Sequence, residues 1–412
     1  MRRVLVALVC LLSAFSAAAN NIQVEVTQDV LAIDQVCTLR EAIVNANDDA
    51  ATWPDCAAGS GVDTIEIFLT GTLNLQLANA NLGGENAGLT GDLDIHSSMI
   101  ILGNPAGTTA IDAHDLDRVF DINPDGVEPG FSVTIADLHL TNGFGHGGGG
   151  NIVIRGGSLT LERVTITNSH GSQGDAGALY SANGATLTVT NCTFSGNTAA
   201  HHAGAILIES GNATLTSVTI TNNSSGFSNL TGGIRGGGNV TLRNCLIAGN
   251  GGVNLPNVDG PFTSLGHNII GEYGTTPGNP VLVPSTADQL DVNDALVNLG
   301  PLQNNGGPTA THALLAGSIA IDQGHSSGST NDQRGLTRPC DGGGIANAAG
   351  GDGGDVGAFE VQVSCAVANV NPDAVDDAAS VAEDSGANAV NVLTNDSDAN
   401  GDTLTITAVT QG

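Results

Sequence analysis

The chain has 412 residues, 58 of them Gly, and only 3% are aromatic, which leaves too little ring volume for a large helical enzyme. Its ten basic residues are all Arg and face 41 acids, and the net charge of −31 repels nucleic acid and anionic membranes while attracting divalent cations. Charged residues make up 12% and hydrophobic ones 40%, so a core is available and wholesale disorder is disfavoured.

Residues 1–19 have the order of a secretory signal peptide: Arg2 and Arg3, an apolar run from Val4 to Phe15, then Ala17 to Ala19 before the expected cleavage. The run is too short to span a bilayer and no second run of membrane length follows, so the mature protein is expected to be exported, with no transmembrane segment. Residues 20–62 read as an N-terminal cap. Thr38 and Glu41 form a capping box that opens a short helix from Leu39 to about Ala46, the lid of a first coil. Cys37 and Cys56 flank that helix, and export makes their pairing the expected one.

Residues 63–284 repeat. Ile135, Leu161, Val189, Leu215 and Leu242 occupy one position, followed three residues later by Leu138, Val164, Cys192, Val218 and Cys245, and the intervals are 26, 28, 26 and 27 residues. Period-2 alternation inside such a repeat is what one coil of a solenoid needs, with coils ~4.8 Å apart, so the fold expected is an all-β, right-handed parallel β-helix. Cys192 and Cys245 fall two coils apart on the interior position, roughly 10 Å and beyond disulfide reach, and should be buried free thiols. Asn142, Asn168, Asn197, Asn222 and Asn250 mark the turns, where Asn tolerates left-handed backbone and bonds to the next Asn of the stack.

Two outward features are candidate sites. Asp175 aligns with His202 one coil later, and a stacked Asp and His could share a proton as a catalytic pair. Thr165, Thr167, Thr193, Ser195, Thr219 and Thr221 fall in register as a flat array of hydroxyls and methyls, interrupted by His139 before it and by Leu246 and Ala248 after it. Such arrays resemble the ice-binding faces of other β-solenoids, and the same surface could contact a glycan. Outward rows such as Glu162, Thr190, Thr216 and Arg243 hold no acidic cluster of the kind polysaccharide hydrolases use.

Residues 285–366 carry no such repeat and read as a loop-rich C-terminal cap, in which Cys340 and Cys365 flank a Gly-rich loop and are expected to pair. Residues 367–412 change composition again. Within them Asp396, Asp398, Asn400 and Asp402 place oxygens at alternate positions around a Gly turn, as a Ca²⁺ ion requires, although the twelfth position is Thr407 and not Glu.

Several of these segments carry a resemblance. Cys37 to Ile43 (Cys-Thr-Leu-Arg-Glu-Ala-Ile) resembles the Cys-Ser-Leu-Arg-Glu-Ala domain at the amino end of exported bacterial β-helix proteins. Leu299 to Pro308, His312 to Leu315, Ala320 to Gly324, Asp332 to Gly335 and Asp355 to Glu360 resemble the choice-of-anchor Q domain that follows such helices. The tail, from Asn371 through Val381–Asp384 to Val392–Leu404, is similar to the cadherin-like or Ig-like modules of bacterial adhesins, here expected to be truncated because such a sandwich needs roughly 100 residues. The resemblance implies a pectin-lyase-like β-helix at a bacterial surface and no activity of its own. The function expected is therefore a non-catalytic, monomeric, secreted or cell-surface protein that contacts an extracellular glycan or another cell. The alternatives are a polysaccharide lyase or glycoside hydrolase, and an ice-binding protein.

Overall fold

The computed structural model describes residues 20–362, apart from 79–85, 127–129, 173–175, 227–230, 253–255, 273–281 and 343, together with scattered positions after 362. Residues 1–19, and with them the signal-peptide expectation, lie outside the described residues. The chain divides into one compact unit that ends at Val361 and a second that starts at Gln362.

In the first unit, short strands recur at the repeat interval and stack in parallel, each coil adding one strand to each of three faces. In one representative coil, Ser158–Glu162 lies on the first face, Thr165–Thr167 on the second and Leu179–Ala182 on the third. The first face has nine strands, from Asn21–Gln23 to Phe262–Ser264, and the second has nine, from Gly71–Asn74 to Gln289–Val292. The third has seven, from Leu93–Ile95 to Val258–Asp259. A short four-stranded sheet bridges the second face to the third.

The coil register is the one the repeat predicts, with Leu161 beside Ile135 and Val189, and Val189 beside Leu215. Leu138, Val164, Cys192, Val218 and Cys245 are all fully buried in one continuous core. Val164 N donates to Cys192 Sγ at 3.3 Å, which fixes one thiol directly over its coil neighbour. Both cysteines are free, and burial pushes each thiol up to about 12, so at neutral pH both stay protonated and unreactive.

The turn asparagines sort into two columns rather than one. Asn142, Asn168 and Asn222 share positive φ with Gly196 and Gly249 and serve as left-handed corners. The hydrogen-bonded ladder runs one residue later: Asn197 Nδ2 donates to Asn223 Oδ1, Asn223 Nδ2 to Asn250 Oδ1 and Asn250 Nδ2 to Asn257 Oδ1, each at 2.9 Å. Merging the columns, as the repeat alignment does, misses Asn223. The ladder needs a fully buried amide, which a left-handed corner residue facing solvent does not supply.

The N-terminal cap forms as its motif requires. Thr38 Oγ1 accepts from Glu41 N at 3.3 Å and Glu41 Oε2 accepts from Thr38 N at 3.0 Å, opening the helix Leu39–Asp48. Cys37 and Cys56 are disulfide-bonded. Arg40 on this helix is buried, pairs with Asp29 at 2.7 Å and donates to the carbonyls of Gly88, Gly91 and Asp92, tying the cap to the coil beneath it. Cys340 is also disulfide-bonded, and Cys365 lies outside the described residues. No described helix is long and apolar enough to cross a membrane.

The residues after the last coil reach beyond the open end of the stack. After Gln289–Val292 completes the second face, the described residues of 293–361 fold back as an arm along it. Thr309 Oγ1 donates to Arg163 O, Asn191 Nδ2 to Asn331 O, Asn244 Nδ2 to Asp355 O and Ala358 N to Thr219 Oγ1, so the arm touches four successive coils. The charged side chains of Asp332, Arg334, Arg338 and Glu360 turn inward and hold the arm together. Arg338 Nε lies 2.8 Å from Glu360 Oε2 with both side chains fully buried, Arg334 pairs with Asp332 at 2.7 Å, and Glu360 also accepts from Cys340 N and Asp355 N.

Candidate functional site

The arm decides which surfaces a ligand can reach. Thr165, Thr167, Thr193, Ser195, Thr219 and Thr221 pair in the predicted register, but every one of them is at most 5% exposed. Thr165 Oγ1 donates to Ala310 O at 2.7 Å, Thr193 Oγ1 to Gln333 Oε1 at 2.6 Å, and Ser195 Oγ lies 2.9 Å from His312 Nε2. Thr165, Thr193, Ser195 and Thr219 thus form a docking strip for the arm. Thr167 Oγ1 bonds to His139 Nε2 and to Thr141 Oγ1, and Thr219 Oγ1 accepts from Ala358 N, so five of the six hydroxyls have protein partners, while Thr221 lines a cleft beside the arm.

On the third face Tyr180, Arg235 and Asp259 are half-buried, while their column neighbours Val153 and Leu207 are buried. Strand register places Asp94, Asp121, Val153, Tyr180, Leu207, Arg235 and Asp259 in one outward column along the axis. At its middle, Tyr180 and Leu207 pack with Ala176 and Ala203 into a small apolar platform outside the main core. The Tyr180 hydroxyl donates to Glu209 Oε2 at 2.6 Å, and Glu209 is exposed. Arg235 Nε lies 3.2 Å from Asp259 Oδ2, and Arg235 also donates to His202 Nδ1.

His202 therefore stands at the edge of this face, as the alignment suggested, but its Nδ1 lone pair is taken by a guanidinium, which removes that nitrogen as a proton acceptor. Asp175, its expected partner, lies outside the described residues. So do Asp398, Asn400 and Asp402 of the expected Ca²⁺ turn; the fourth member, Asp396, accepts a hydrogen bond from Val375 N at 2.8 Å.

Sequence reasoning overlooked a group of acids at the N-terminal end of the same face. Asp92, Asp94 and Asp121 bring carboxylate oxygens within 4.8 Å of one another, and all three are buried. Burial raises Asp92 to about 7, with Arg118 opposing and Asp117 and Asp121 reinforcing the rise. Arg118 Nε lies 2.8 Å from Asp92 Oδ2 and its Nη1 lies 3.5 Å from Asp121 Oδ2, while Arg155 also pairs with Asp121. A divalent ion here would compete with Arg118. The cluster is best explained as an ion network that fixes the outer edge of the face. Its signal was present in the matching triplets Leu93-Asp94-Ile95 and Phe120-Asp121-Ile122, one coil apart.

Residues 126–272 match a family model described as the right handed beta helix region. The fold is a right-handed parallel β-helix. No curated protein and no solved structure matches the chain.

Proposed function

We propose that this β-helix is an exported surface protein that holds a neutral extracellular glycan along its third face without cleaving it. The observation that carries the reading is the half-buried Tyr180 ring, packed against Ala176, Ala203 and Leu207 in a column that continues to Arg235 and Asp259. Sugar rings present apolar faces and hydroxyl edges, and a platform of this kind flanked by Glu209, Arg235 and Asp259 complements both. The net charge of −31 opposes polyuronates, so an uncharged polymer is favoured over the acidic one that a lyase would need. The leader-like first residues and the resemblance of both terminal motifs to those of exported bacterial β-helix proteins support the location.

On an array of neutral and acidic polysaccharides the protein should bind neutral members, and Tyr180→Ala should weaken binding about tenfold or more, equivalent to ~1.4 kcal/mol. No shortened products should form. Undiminished binding by Tyr180→Ala, or release of oligosaccharides, would contradict the reading.

A further inference from the structure

Where the arm crosses the second face it leaves a cleft of about 500 Å³, within the usual range for a small-molecule site. One wall is the row of left-handed corners Asn168, Gly196, Asn222 and Gly249; the other is the strand Leu299–Gln303 with Val297 and Asp294. Ser195 and His312 both line it. His312 Nδ1 lies 2.7 Å from Gly300 O, an atom that only accepts, so Nδ1 carries the proton and Nε2 is free. The Ser195 hydroxyl therefore donates to Nε2 across 2.9 Å. Burial lowers His312 below its ordinary imidazole value, which keeps that nitrogen available as a base.

From this geometry we propose that Ser195 and His312 form an ester-hydrolysing centre, with Ser195 as nucleophile, His312 as general base and the Gly300 carbonyl as the group that orients the ring. A nucleophile, a base and an orienting acceptor in sequence define such centres irrespective of fold. Ser195 Oγ attacks the ester carbonyl carbon as its proton passes to Nε2. The tetrahedral intermediate collapses, the bond to the alcohol oxygen breaks, and the alcohol leaves with the proton from Nε2. Water then attacks the acyl-serine, gives a proton to Nε2, and releases the carboxylic acid as that proton returns to Ser195. Asn222, on the coil after Gly196, borders the cleft, and the proposal assigns its amide as the oxyanion donor.

The far wall sets the substrate class. Val297 and Leu299 give it an apolar lining with room for a short acyl chain. A short-chain ester fits that lining. The cleft lies on the second face and Tyr180 on the third, so this inference stands or falls independently of glycan binding.

The full chain should be treated with a fluorophosphonate probe and assayed with p-nitrophenyl acetate. Labelling should map to Ser195 and disappear in Ser195→Ala. Ser195→Thr, which restores the residue type of its coil neighbours Thr167 and Thr221 and so keeps the fold, should lose most labelling because its secondary hydroxyl is hindered. Asn222→Gly keeps the left-handed corner but removes the amide, and should slow hydrolysis about 100-fold with little change in melting temperature. An unlabelled wild type overturns the proposal, as does wild-type turnover in Ser195→Ala.

Discussion

Gly177→Ala is expected to prevent the coils from closing and to cost more than about 3 kcal/mol, beyond the usual penalty of an overpacked core. A Cβ at Gly177 would lie 2.0 Å from Gly204 O and 2.7 Å from Thr198 O, both backbone atoms of the next coil that cannot rotate aside. The same holds along the stack: a Cβ at Gly150 would meet Gly177 O at 2.1 Å, and one at Gly204 would meet Gly232 O at 2.4 Å. The constraint is close approach rather than φ, so Gly184, with φ +75° and nothing near its Cβ position, is the control. Gly184→Ala should cost only ~1–2 kcal/mol. Denaturant midpoints of the two variants compare them directly, and equal stability would rule out coil packing at Gly177.

The second large effect is expected at Arg338. Its guanidinium and the Glu360 carboxylate are both fully buried, and Arg338→Met leaves that carboxylate without its counter-ion, at a cost of about 3–5 kcal/mol. Adding Glu360→Gln removes the orphaned charge and should recover part of the loss; a double variant no better than the single would show that the arm is held by something else. Acid should also favour the arm. Burial foremost, reinforced by Glu360, raises Asp355 from 3.8 to about 7 in the folded protein. The folded state therefore binds that proton more tightly than the unfolded chain, and its contribution to stability falls as pH rises from about 4 to about 7.

The solenoid was legible because its cause is local and repeated. Alternation places every second side chain inside, and the interval between Val164, Cys192, Val218 and Cys245 fixes the coil length. The capping box at Thr38 and Glu41 and the Cys37–Cys56 pair were legible for the same reason, each being a short-range pattern with one stable geometry. The fate of the Thr165 to Thr221 array was not. Alternation identifies outward positions on every face, but the arm that covers one of them has no periodicity, and Gln333 reaches Thr165 across 168 residues. Nor did the alignment reach the coils of Asp94 and Asp121, where loops of irregular length separate the strands, so the ion network at that edge went unread. The Ser195–His312 pair joins two segments whose sequence patterns are unrelated.

The central claim is that the arm covers the threonine strip of the second face while Tyr180 on the third stays partly exposed to a ligand. Single cysteines at Thr193 and Tyr180 test it, because Cys192 and Cys245 are buried and protonated and give no background in the native protein. Under native conditions a maleimide should modify Tyr180→Cys quickly and Thr193→Cys only after denaturation. Equal rates at the two positions would show that the arm does not cover the threonine strip, and the assignment of the binding face would fail with it.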